Sequence, residues 1–121
     1  MRRSTILLFP LVAVTACGAS DDQRIRDTVE RYGKALADGN PAKVCDQIIG
    51  DDEPCEAQYT NRILRLSDTQ RDALRKLTVT RVRVVGRVAE VSVKGELLPE
   101  NTRLRKEGRA WRLDPASLKQ S

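Results

Sequence analysis

At 121 residues the chain has room for one domain and hardly for two. Its 22 Lys and Arg exceed 17 Asp and Glu, for a formal charge of +5, and it contains no histidine, which removes the commonest general base and the commonest metal ligand together. The charge is uneven: residues 17–60 carry 5 basic and 10 acidic side chains, and residues 61–121 carry 15 and 7, a pattern that reads first as a solvated Arg-rich surface and second as a hint of an anionic partner.

The N-terminus opens with Met1-Arg2-Arg3, continues as an apolar run over residues 5–16 interrupted by Pro10, and reaches Cys17. Twelve apolar residues are too few for a bilayer, which takes about 20, so the layout is that of an export signal. Val14-Thr15-Ala16-Cys17 resembles the lipobox of bacterial lipoproteins. That resemblance implies cleavage after residue 16, a lipid on Cys17, a short tether over 17–21 and residence on the outer face of the cell membrane. Ordinary signal cleavage after Ala16, leaving Cys17 as a free thiol, is the competing reading. Cysteine arithmetic favours the lipid, because three cysteines in an exported chain leave one unpaired. Cys45 and Cys55 then make a disulfide across a short turn-rich segment; a buried reduced pair and a metal site are the alternatives, and two thiols without a histidine or third cysteine make a poor zinc site. No metal and no cofactor are expected.

Ser20 and Gln23 read as a capping box. Ile25, Val29, Tyr32 and Leu36 follow at steps of four, three and four, one face of a first helix. Asp38-Gly39-Asn40-Pro41 ends it and starts a second, with Asn40 as cap and Pro41 in the first turn; Val44, Cys45, Ile48 and Ile49 mark its buried side. A third helix runs from Pro54 to about Leu66 and buries Cys55, Tyr59 and Ile63. Ser67 and Gln70 form another capping box that opens a last short helix through Leu74.

Residues 77–95 are valine-rich, with β-branched side chains that crowd a helix and fit a pleated sheet. The stretch reads as a β-hairpin turning at Val85-Gly86, with Thr78, Thr80 and Val82 opposite Val93, Val91 and Ala89 on an apolar face and Arg81 opposite Glu90 on a charged one. Val85 resists the positive φ of such a turn, so a glycine-bulge turn with the register moved by one, and the faces exchanged, stays open. A second hairpin turns near Glu107-Gly108, pairing Lys106 with Arg109, Leu104 with Trp111 and Thr102 with Leu113. Arg103, Arg105 and Arg112 join Arg81, Arg83 and Arg87 on an outer basic face. Pro115 stops the sheet, and residues 116–121 read as a frayed tail.

Helices followed by a bent antiparallel sheet ending in a Trp-containing strand, together with the stretches DGNPAKVC, VVGRVAEV and EGRAWRL, resemble the NTF2-like superfamily and, within it, actinobacterial-type lipoproteins. The resemblance implies an α+β cone over residues 22–115, with three to four N-terminal helices packed on a curved antiparallel sheet of about four strands. It implies no single activity, since enzymes of that fold place an Asp, Tyr or His inside the cone. Here Tyr32, Tyr59 and Asp46 are the residues to consider, each read more simply as core or as solvated helix. A pocket between helices and sheet would be lined by Tyr32, Tyr59, Leu104 and Trp111. No phosphate loop, nucleophile elbow or paired-carboxylate motif is present. The function expected is therefore a non-enzymatic, membrane-anchored domain that binds a protein partner or a small apolar ligand at the cell envelope. The alternative is a small-molecule enzyme, of isomerase, dehydratase or hydrolase type, using Tyr or Asp as acid and base. Arg103, Arg105 and Arg112 are candidates to contact anionic headgroups. Nucleic acid is not expected of an exported chain, and the superfamily often forms homodimers through its sheet.

Overall fold

The computed structural model describes residues 9–95 and 97–119, with side chains from Asp21 onward. Four helices precede a four-stranded antiparallel sheet: α1 (Phe9–Asp38), α2 (Pro41–Asp46), α3 (Asp52–Leu64), α4 (Asp68–Arg75), then β1 (Val79–Val85), β2 (Val88–Val93), β3 (Thr102–Glu107) and β4 (Ala110–Leu113). The strands run β1-β2-β3-β4 in space as in sequence, so every connection is a local one and the class is α+β. Residues 1–8 of the expected signal segment lie outside the described residues, as does the Cys17 side chain. Ser20 does not cap a helix, since α1 runs through it from Phe9; residues 17–21, read from sequence as a tether, are continuous with that helix.

The four-three-four stripe does what its spacing requires. Ile25, Val29 and Tyr32 are fully buried and Leu36 nearly so. They pack on a sheet face made by Val79, Ala89, Val91, Leu104, Trp111 and Leu113, all buried. Helix α1 lies against both edge strands, β1 and β4, with α2 and α4 on its flanks. Polar side chains pin it there. Thr28 Oγ1 donates to the Trp111 carbonyl (2.9 Å), Arg26 Nη1 donates to the Val79 carbonyl (2.9 Å), and Trp111 Nε1 donates to Asp21 (3.3 Å). At the other end of α1, Arg71 on α4 donates to the Ala37 and Ile63 carbonyls (3.2 and 3.0 Å). One guanidinium thus satisfies C-terminal carbonyls of two helices, a task for its planar fork of donors.

Beyond the start of β1, both hairpins keep the expected faces and change the expected partners. Val82 pairs with Val91 and Arg83 with Glu90, and the turn is Gly86-Arg87; Leu104 pairs with Leu113 and Lys106 with Trp111, and the turn is Gly108-Arg109. Each register is moved by two residues from the sequence reading, which leaves the side chains on the same side of the sheet. The reason lies in the turn chemistry. Gly86 and Gly108 have φ of +62° and +60°, and among the described residues no residue other than glycine has positive φ. Glycine therefore takes the first central position of a II′-type turn, and neither Val85 nor Glu107 enters the turn at all. A bulge between Val79 and Arg81 is the second correction. It brings Val79 and Val82 to the covered side, and Thr78 and Thr80, both expected on the apolar face, are exposed.

The C-terminal residues are ordered as far as Lys119, where a frayed tail was expected. Residues Pro115–Leu118 form a 3-10 turn capped by Asp114. Leu118 is buried, and the Ser117 hydroxyl accepts from the Arg103 amide (2.9 Å). Gln120 and Ser121 lie outside the described residues.

Candidate ligand-binding cleft

Gly50 ends the loop after α2 with a φ of +142°, and α3 then starts with Asp52 and Glu53 in its first turn, where the helix dipole favours carboxylates. Between them, Cys45 and Cys55 are joined by a disulfide, with their Cα atoms 6.0 Å apart. The loop also docks on the sheet: Leu113 donates to the Gln47 carbonyl (2.7 Å) and Ile49 donates to the Leu113 carbonyl (2.9 Å), so the outer edge of β4 is paired. This brings the α2–α3 loop, helix α3 and the 3-10 turn around one open cleft of about 810 Å³.

Its apolar side is built from Ile48, Ile49, Pro54, Pro115 and Leu118. The lining also holds a polar stripe along α3 and its C-cap, Gln58, Asn61, Arg62 and Arg65, whose spacing of i, i+3, i+4 and i+7 puts them on one helical face. With Lys119, three cations meet one carboxylate, Asp51, in the lining. Among the described residues none of the three cations is in an ion pair. Arg62 lies 5.4 Å from the centroid of the Tyr59 ring, an arrangement that holds the guanidinium over a π face.

The residues expected to line a pocket between helices and sheet are placed differently. Tyr32 and Leu104 are fully buried, and Trp111 is 3% exposed; all three belong to the packed core. Tyr59 alone of the four reaches the cleft. Its hydroxyl is hydrogen bonded to that of Tyr32 (3.0 Å), and the two rings meet edge to face at 6.1 Å. Burial pushes the Tyr32 phenol well above its ordinary value, helped by the Tyr59 charge and hydrogen bond and opposed by Arg62, so it is neither a base nor a ready acid near neutral pH. Asp46 is exposed and borders a separate, smaller cleft of about 370 Å³ with Arg31, Lys34 and Lys43. Arg103, Arg105 and Arg112 do point outward, yet each has a carboxylate near it. Asp114 lies 3.9 and 3.5 Å from the first two and Glu107 lies 3.7 Å from the third. Among the described residues no group of three His, Cys, Asp or Glu is placed to hold a metal ion.

The tyrosine pair makes an asymmetric prediction. Tyr32→Phe leaves a Tyr59 hydroxyl at the cleft wall, where water can replace the lost partner, and should cost about 0.5–1.5 kcal/mol; Tyr59→Phe strands the Tyr32 hydroxyl in the core and should cost about 1–3 kcal/mol. Because the folded-state pKa of Tyr32 is raised, its contribution is complete below the unfolded value near 10 and is lost as pH rises above that, at up to about 1.4 kcal/mol per pH unit. Denaturant titrations of the native chain and of Tyr32→Phe between neutral and strongly alkaline pH should converge above pH 10 and then cross, the native chain becoming the less stable of the two.

Comparison with family models, curated proteins and solved structures finds no match. The reading of the cleft therefore rests on its own chemistry. The sequence signal for it is the polar stripe of α3, which apolar periodicity does not mark.

Proposed function

We propose that the chain is an exported lipoprotein, held by a lipid on Cys17 at the outer face of the cell membrane, whose NTF2-like domain binds a protein partner or a small apolar ligand in the cleft beside the Cys45–Cys55 disulfide. The lipobox pattern supports the anchor, and the order of helices before a four-stranded meander supports the superfamily. The cleft carries the binding reading: an apolar wall, amides and unpaired cations face one opening, which suits an apolar body with a polar or anionic end. The one tyrosine hydroxyl in its wall, that of Tyr59, is engaged with the buried Tyr32, which leaves Asp51 as the single carboxylate in the lining and favours binding over acid-base chemistry.

The test is thermal stability of the full chain against fatty acids and apolar metabolites, run beside capture of detergent-extracted envelope proteins. A ligand at ten times its Kd should stabilise by about 1.4 kcal/mol, or roughly 4–8 °C in Tm. The shift or the capture should vanish when Gln58, Arg62 and Arg65 are all changed to Ala. Turnover of any compound in the set would favour the enzymatic alternative, and a shift unchanged in the triple variant would remove the cleft from consideration.

A further inference from the structure

The two hairpin turns lie at one end of the sheet. Lys106 donates to the Arg87 carbonyl across β2 and β3 (2.9 Å), and Arg24 Nη1 donates to the Arg109 carbonyl (3.4 Å). Asp21 accepts from Trp111 and pairs with Lys106 (3.6 Å). The residues by which α1 enters the folded domain are therefore at this same end, four positions after Cys17.

This end also has an unusual surface. The described residues include four exposed large hydrophobics, and three of them are here: Val84 at 43%, Val85 at 66% and Val88 at 38%. Val85 pairs with Val88 on the outer side of the sheet, while Val84, opposite Ala89, is on the helix-covered side. Val84 is nonetheless wet, so the hairpin extends past the helical layer and shows valine on both faces. Around it Arg83, Arg87, Arg105 and Arg109 are exposed, with Glu90 and Glu107 the nearby carboxylates on the strands.

We infer that the β1–β2 tip is a membrane-seating wedge, Val84, Val85 and Val88 entering the interfacial layer of a bilayer while the surrounding arginines rest on anionic headgroups. A two-faced apolar tip fits a fluid apolar medium better than a flat protein patch would, and cations beside it match a surface of negative charge. The end of the domain from which the N-terminal segment departs is the end that an anchor on Cys17 would hold against the membrane. The placement thus rests on the anchored reading, whereas the wedge can be tested without it.

The probe is the full chain carrying Cys17→Ser and either Val85→Cys or Asn101→Cys, the latter an exposed site at the opposite end of the sheet. With Cys45 and Cys55 bridged, each variant has one thiol for a polarity-sensitive dye. On vesicles of phosphatidylcholine with phosphatidylglycerol, the label at 85 should move to an apolar environment and the label at 101 should stay aqueous. Binding should weaken about fivefold for each of Arg83 and Arg87 changed to Ala on anionic vesicles, and should not change on neutral ones. A vesicle-bound chain whose label at 85 remains aqueous overturns the wedge. So does a label at 85 that is already shielded without vesicles in a chain sedimenting at twice its mass, since a second copy would then cover the valines. The anchor is judged separately, by the mass of the peptide beginning at Cys17 in the native chain. An unmodified Cys17 ends that reading and leaves the vesicle result standing.

Discussion

Gly33→Ala should destabilise the domain by about 2–3 kcal/mol, even though alanine is the better helix former by about 1 kcal/mol. A Cβ on Gly33 would stand 2.7 Å from the Leu74 carbonyl oxygen and 2.9 and 3.2 Å from two atoms of Leu77. The first of these is backbone, at the C-terminal end of α4, so the conflict cannot be relieved by a rotamer change. Helix α1 and the α4–β1 junction would have to separate, and with them Leu74, Leu77 and Val79, which are all buried. For a domain of this size a loss of 2–3 kcal/mol corresponds to a fall in Tm of roughly 8–15 °C, readily seen by calorimetry. Glycine at an exposed helical site should behave in the opposite way, so an equal or higher Tm for Gly33→Ala would mean that α1 does not approach α4 this closely.

Gly33 illustrates what the sequence concealed. Its place beside Tyr32 in a helical stripe was visible, but nothing in a one-dimensional pattern says that another backbone comes within van der Waals distance at that point. The sheet shows the complementary case. Alternation of apolar and charged residues assigned Val82, Ala89, Val91, Leu104, Trp111 and Leu113 to the correct side, because the period of two is a property of each strand alone. It could not assign partners, since sliding a strand by two residues preserves the faces; only the rule that Gly86 and Gly108 must lead their turns does so. Thr80 was misplaced because a bulge changes the phase of the alternation part-way along β1. The helices fared best where a cap was written locally: Asn40 accepts from the Lys43 amide, and Ser67 and Gln70 close a reciprocal box. The cleft fared worst. Its walls come from residues 48–51, 54–65 and 115–119, and they meet because the backbone at Gln47 and Ile49 pairs with Leu113, a contact between segments that carry no mutual signal in sequence.

Removing the Cys45–Cys55 bridge should cost stability and binding together, in a way that separates the two contributions. The sulfurs close a loop with a sequence separation of 10, for which the chain-entropy model gives about 2.5–3 kcal/mol. A double change to Ala measures this without leaving a reactive thiol. Cys45 is buried in the core and Cys55 packs against it, so part of any loss reflects packing; Cys45→Ala with Cys55→Ala should therefore be compared with the reduced native chain, which retains both sulfurs. If loop entropy dominates, the two should unfold at similar denaturant concentrations, well below the oxidised form. The cleft makes the second demand. The bridge ties α2 to α3 beside the cleft that Ile48, Ile49, Arg62 and Arg65 all line, so without it these apolar and cationic residues lose their fixed spacing. Any ligand found by thermal shift should bind the reduced chain at least tenfold more weakly at temperatures where that chain is still folded. Unchanged affinity at lowered stability would mean that Leu113 and the 3-10 turn hold the cleft open on their own, and that the disulfide serves the fold alone.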